Sequence, residues 1–240
     1  MEAMNISKQF LRTCAALLAL VTSAAMAAPA RSPAVPDTIA QRALACAACH
    51  GKEGRATSEG FFPRIAGKPE AYLYNQLLNF RDGKRQYPAM THMVAHLSDA
   101  YLREMAAYFS AQHPPYPAPQ PAGAAPAELA RGKALALAGD QARKIPACVA
   151  CHGQKLAGVL PAIPGLLGLP RDYLNAQFGA WKTGARKAAA PDCMAQVSRR
   201  LTPDDIASVS AWLASLPVPA DMAPAPASPV KLPLACGSAH

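Results

Sequence analysis

Two pentapeptides hold the residues best suited to chemistry, Cys46-Ala47-Ala48-Cys49-His50 and Cys148-Val149-Ala150-Cys151-His152. In a Cys-x-x-Cys-His run each thiol can add across a haem vinyl group while the adjacent imidazole reaches the iron. One short loop thus attaches the porphyrin and supplies an axial ligand. A disulfide, a redox dithiol or half of a zinc site uses the same cysteine spacing. Zinc needs four ligands, however, and no second Cys-x-x-Cys or His-x-x-x-His lies near enough to complete either half. Repetition in register decides for haem. Each run is followed by a glycine (Gly51, Gly153), a proline (Pro63, Pro161), an aromatic helical stretch and a methionine (Met90, Met194). The expectation is two covalently held c-type haems. Cys46, Cys49, Cys148 and Cys151 are the attachment points, and His50 and His152 the iron ligands on one side.

The elements that must position these residues also come in pairs. Thr38 with Gln41 reads as a capping box that starts a short helix running into Cys46. Pro63 and Pro161 have no amide hydrogen, but a proline carbonyl can accept a hydrogen bond from the proximal imidazole and fix its orientation. A helix follows from Pro69 to Phe80 with Gly83 beyond its end, and its partner starts at Pro170. Tyr72 and Tyr173, Leu73 and Leu174, Gln76 and Gln177, and Gly83 and Gly184 match at a constant offset of 101. Tyr72, Leu73, Gln76, Leu77 and Phe80 form one helical stripe, read as packing on the haem edge and the core. In the third matched segment Met90 stands seven residues before Leu97, and Met194 seven before Leu201. Caps at Ser98 and Thr202 and acidic first turns then open two closing helices. Met93, His92 and His96 are rivals for the second axial position. Met90 is preferred because it alone repeats the spacing of Met194.

The chain has 240 residues, enough for two small domains, and a formal charge of +9. Lys8 and Arg12 precede an apolar run from Cys14 to Val21 that ends in Ala25-Met26-Ala27, a small-x-small cleavage site. This predicts a secretory signal over 1–27, cleaved near Ala27, and a periplasmic location. The run is too short for the roughly twenty residues that span a bilayer. The organisation expected is a first domain at 37–112, a Pro-rich linker at 113–125, a second domain at 126–216 and a largely unpacked Pro/Ala tail at 217–240. Without the leader the charge is +8, which favours acidic partners. Nucleic acid is not among them, since no recognition motif is present. Lysines and arginines such as Lys52, Arg64, Lys68, Arg85, Lys155 and Arg186 are candidates for a basic docking ring around the haem edges. Of seven cysteines, Cys193 and Cys236 remain, and an oxidising compartment permits them to pair.

From about Asp37 to Leu216 these motifs resemble the di-haem class I cytochromes, most closely the cytochrome c4 family. The resemblance implies an all-α fold of two tandem cytochrome c domains about a pseudo-twofold axis, with haem propionates close across the interface. It implies His50 and Met90 on the first iron and His152 and Met194 on the second. It also implies a periplasmic electron carrier. The partners it suggests are a terminal oxidase, a quinol-cytochrome c oxidoreductase or a dehydrogenase, with peripheral membrane association left open. The chain departs from the pattern in a shorter loop between His152 and Pro161, an extra stretch before Tyr173, and Cys193 beside Met194. Two ligands on each iron leave no open position, so outer-sphere electron transfer follows, not substrate chemistry. Two other readings stay open. One is a di-haem enzyme of thiosulfate dehydrogenase or peroxidase type using Cys193 or an open site at the second haem. The other is a dedicated electron-accepting subunit of a dehydrogenase.

Overall fold

The computed structural model describes residues 35–57, 62–121, 123–227 and 231–239, so the expected leader lies outside it. Thr38 Oγ1 accepts the Gln41 amide at 3.3 Å and opens α1 (Ile39–Arg42). The chain turns at buried Ala43 into α2 (Leu44–His50), so the single helix expected before Cys46 is two short ones. Next come α3 (Glu70–Arg81), α4 (Pro88–Val94) and α5 (Asp99–Ser110). Ser98 caps α5 by accepting the Tyr101 amide at 3.2 Å. Leu102, Met105, Ala106 and Phe109 recur at helical spacing, and that face is buried against α3 and α1.

The second domain repeats this plan with α6 (Pro126–Ala138), α7 (Val149–His152), α8 (Arg171–Thr183), α9 (Cys193–Arg200) and α10 (Pro203–Ser215). One antiparallel hairpin, β1 (Gly158–Val159) with β2 (Ile163–Pro164), is added to an otherwise helical fold. Helix α10 crosses α6 closely because Gly132 has no side chain; a Cβ there would run into the Ser208 carbonyl oxygen. Leu135, Leu174, Val209 and Leu213 fill the core, each contributing roughly 1.5–3 kcal/mol by burial.

A charged hub closes the start of α10. Thr202 and Asp205 form a reciprocal capping box, and the fully buried Asp205 carboxylate also accepts Arg131 Nε at 2.9 Å and Arg143 Nη1 at 2.6 Å. Burial alone would raise this carboxyl's pKa. The hydrogen bonds from Arg143, Thr202 and Arg131 outweigh it and hold the group well below the usual carboxylate range.

The linker is extended, as its prolines require, but it is fastened to both domains. Arg64 donates to the Pro114 and Pro115 carbonyls and stacks on Tyr116, while the Gln120 amide donates to Ala214 at 3.1 Å. The tail is more packed than its composition suggests. Val218 and Met222 lie against the second core, Ala225 exchanges backbone hydrogen bonds with Gly158 and Leu160, and Ala239 is buried. Cys193 and Cys236 form a disulfide with Cα atoms 4.9 Å apart, tying the tail to α9. Apolar side chains between the prolines supply this packing.

The two domains meet at Arg85 and Arg186, which form an antiparallel bridge. The Gln86 amide donates to Ala185 and the Lys187 amide to Lys84, both at 2.7 Å. Arg85 donates to Gln76, Gln177 and the Tyr173 hydroxyl; Arg186 donates to Gln177, Gln76 and the Tyr72 hydroxyl. Every member is paired at the offset of 101, so the contacts are reciprocal, as a pseudo-twofold relation requires. The two tyrosines therefore do more than pack.

Candidate functional site

In the second domain Cys148, Cys151, His152 and Met194 line one cleft. The cleft is narrow and opens to solvent at its mouth. Leu135, Leu166, Leu174, Phe178, Val197, Val209 and Leu213 supply apolar walls. Cys148 is the N-cap residue of α7, which carries Cys151 and His152, α9 brings the thioether, and α8 and α10 form the sides. The first domain has the same parts. Cys46 packs beside Ala43, Leu73 and Met105, whereas Met90 packs beside Phe80, Val94 and Leu102. Tyr74 and Leu77 of α3 touch both groups and stand between them. Of the rival ligands, Met93 is 46 % exposed and His92 and His96 are exposed.

Both imidazoles are buried and oriented by a backbone carbonyl. His50 Nδ1 donates to Pro63 at 2.8 Å, and His152 Nδ1 donates to Pro164 at 2.7 Å. A carbonyl can only accept, so Nδ1 carries the proton and Nε2 presents a lone pair. Burial lowers the pKa of both rings, against the opposing effect of these hydrogen bonds. Arg85 adds to the lowering at His50 and Lys68 at His152. Neutral imidazoles with a free Nε2 are what iron requires.

The acceptor in the second domain is Pro164, not Pro161. Pro161 lies in the turn between β1 and β2, where its neighbour Leu160 is 44 % exposed. The offset of 101 that pairs Tyr72 with Tyr173 also pairs Pro63 with Pro164, and this signal was available in the sequence. With that pairing the extra stretch before Tyr173 disappears, and the loop after His152 is one residue shorter than that after His50.

Burial raises the thiols of Cys46, Cys148 and Cys151, with the neighbouring cysteine adding to the effect at Cys46 and Cys148; Cys148 reaches about 11. They stay as thiols, suited to addition across vinyl groups rather than to reactive-thiolate chemistry. Cys193, beside Met194, has its sulfur in the disulfide.

The donor set fits a covalently attached haem: two thiols, an oriented imidazole and a thioether around an apolar slot. The interface adds a further fit. Arg186 is 5 % exposed, and the side-chain partners of Arg85 and Arg186 at the interface are all neutral. Buried guanidinium groups need an anion, and haem propionates would supply it. The docking ring read from sequence loses three members, because Arg64, Lys68 and Arg186 are buried.

Residues 22–109 match the family described as cytochrome c oxidase, cbb3-type, subunit III, and residues 129–217 match cytochrome c. The chain is 41 % identical to a thiosulfate dehydrogenase electron acceptor of Thiomonas intermedia, covering 84 % of this chain and 91 % of the relative. Its fold matches reduced recombinant cytochrome c4 from Pseudomonas stutzeri with a TM-score of 0.65 and 30 % identity, over 74 % of this chain and 96 % of that one. It also matches a thiosulfate dehydrogenase from Marichromatium purpuratum, TM-score 0.65 and 36 % identity, over 72 % of this chain but only 36 % of that longer one. Two cytochrome c domains, each holding a covalently bound haem and together spanning these relatives, settle the family: the chain is a di-haem class I c-type cytochrome and belongs to the cytochrome c4 family.

Proposed function

We propose that this electron carrier is the dedicated acceptor for a thiosulfate dehydrogenase, exported to the periplasm and passing electrons to a further redox protein such as a terminal oxidase. The observation that carries this is the 41 % identity to a thiosulfate dehydrogenase electron acceptor along nearly the whole of both chains. When bound, each haem supplies a one-electron ferric/ferrous couple. His50 and Met90 are the proposed ligands of the first iron, His152 and Met194 of the second. Pro63 and Pro164 hold the imidazoles, α4 and α9 hold the thioethers, and the apolar walls keep water from the metal. A soft thioether raises the potential relative to a second imidazole. With both faces taken, the chain's own residues leave an electron as the transferable species.

The catalytic alternative rested on Cys193 or an open position. A disulfide sulfur is no thiolate, and Met194 already lines the second cleft, so that reading now requires Met194 to leave. Among the described residues no helix is long and apolar enough to cross a membrane.

The test is reduction of the purified holoprotein by thiosulfate with and without a thiosulfate dehydrogenase. Reduction only in the presence of the dehydrogenase is expected; reduction by thiosulfate alone contradicts the carrier reading. Because the chain is basic, the rate of reduction by the dehydrogenase should fall several-fold as salt rises from about 0.01 M to 0.15 M, where the Debye length shrinks from about 30 to 8 Å. A rate indifferent to salt contradicts electrostatic docking.

A further inference from the structure

Lys68 marks a break in the repeat. The offset of 101 pairs Pro63 with Pro164 and Pro69 with Pro170, and between them it sets Lys68 opposite Leu169, a core residue of the second domain. Lys68 is 5 % exposed and its ammonium does not stay in its own domain. Its Nζ crosses to the second domain and donates to the Gly165 carbonyl at 2.9 Å. Gly165 directly follows Pro164, whose carbonyl holds His152 at 2.7 Å.

Among the described residues Lys68 forms no ion pair. Burial, and then the charge of Arg64, bring its pKa down to about 8, so it remains largely charged at neutral pH. Its charge is felt at His152, where it adds to burial in lowering the imidazole. At His50 the added charge is that of Arg85, whose counterpart Arg186 is not among the charges that lower His152, so each ring feels one cation and only the one at His152 has no counterpart in the repeat. Arg64 is the other unmatched buried cation, but its guanidinium faces the linker at Pro114, Pro115 and Tyr116. Lys68 is thus an unmatched positive charge against the proximal support of one haem only.

We propose that Lys68 is a positioning residue through which the first domain raises the reduction potential of the second haem and so directs electrons from the first haem to the second. A cation in a medium less polarisable than water favours the iron state of lower positive charge, the ferrous one. In the transfer, the first iron goes from ferrous to ferric and the second from ferric to ferrous; one electron moves and no bond changes. The inference rests on the proposed His152 and Met194 ligation, which is read separately by the thioether-to-iron charge-transfer band.

The experiment is a redox titration of the holoprotein, resolved haem by haem through haem-methyl NMR signals, at a pH well below the titration of Lys68. Wild type is compared with Lys68→Met, Lys68→Gln and Lys68→Arg. In the Met and Gln variants the equilibrium between the haems should shift roughly tenfold toward reduction of the first, about 59 mV for a one-electron couple. The first haem should be unchanged, and arginine should restore the wild-type separation. Unchanged potentials, equal movement of both haems, or no rescue by arginine overturns the proposal. Absence of the thioether band in the wild type overturns the ligand assignment instead.

Discussion

Replacing Cys148 and Cys151 together by alanine is expected to leave one covalently bound haem per polypeptide where the wild type has two. The two thiols lie with His152 and Met194 in a cleft whose other walls are apolar, so nothing else there can form a bond to a vinyl group. His152 and Met194 could still hold a porphyrin by coordination, but acid-acetone extraction removes such a haem and spares thioether-linked haem. The measurement is the haemochrome content per chain after extraction. The first domain has its own Cys46, Cys49 and His50 and should be unaffected. A variant that retains two haems after extraction contradicts the attachment assignment. The second domain should also lose stability, because its apolar cleft loses the covalent anchor of the group that fills it.

Asp205→Ala should be the most damaging single change away from the metal sites. The carboxylate is fully buried, and removing it leaves Arg131 and the Thr202 amide without their acceptor and Arg143 with Asp140 alone. Breaking such a cluster costs about 3 kcal/mol, at the low end for buried pairs because the side chains of Arg131 and Arg143 are 48 % and 35 % exposed. That corresponds to a drop in Tm of roughly 12–24 °C for a domain of this size, expected in the second domain, where α10 and α6 pack. The pH dependence has a definite sign. The folded pKa is depressed below the unfolded value near 3.9, so the stabilisation is fully present above about pH 4 and is lost as pH falls below it. Thermal melts of wild type and variant should therefore converge in acid. A constant difference from pH 7 to pH 3 contradicts the assignment of this stabilisation to the ionised carboxylate.

What could be read from the chain alone was whatever repeats locally. The two Cys-x-x-Cys-His runs, the tyrosine-bearing helices, the caps at Ser98 and Thr202 and the methionine-to-leucine spacing are short-range patterns, and α3, α5, α8 and α10 form where they indicate. Order along the chain matches Pro63 with Pro161, whereas the offset of 101 matches it with Pro164. The hairpin that carries Pro164 to the imidazole is made by pairing across a turn, which no periodicity announces. Asp205 was legible as an acidic first-turn residue; its role with Arg131 and Arg143 depends on side chains 74 and 62 residues away. Arg64, Lys68 and Arg186 read as surface charges because their burial depends on distant chain, the linker over Arg64 and the other domain over Lys68 and Arg186. The tail failed for the converse reason, since its prolines concealed apolar residues that reach the core.

The most direct measurement is the near-infrared thioether-to-iron charge-transfer band of the fully oxidised holoprotein, quantified per haem by magnetic circular dichroism. Two iron centres held by His50 with Met90 and by His152 with Met194 predict full intensity for both haems and no high-spin signal. Intensity for a single haem, or a high-spin component that binds carbon monoxide at neutral pH, would contradict the account.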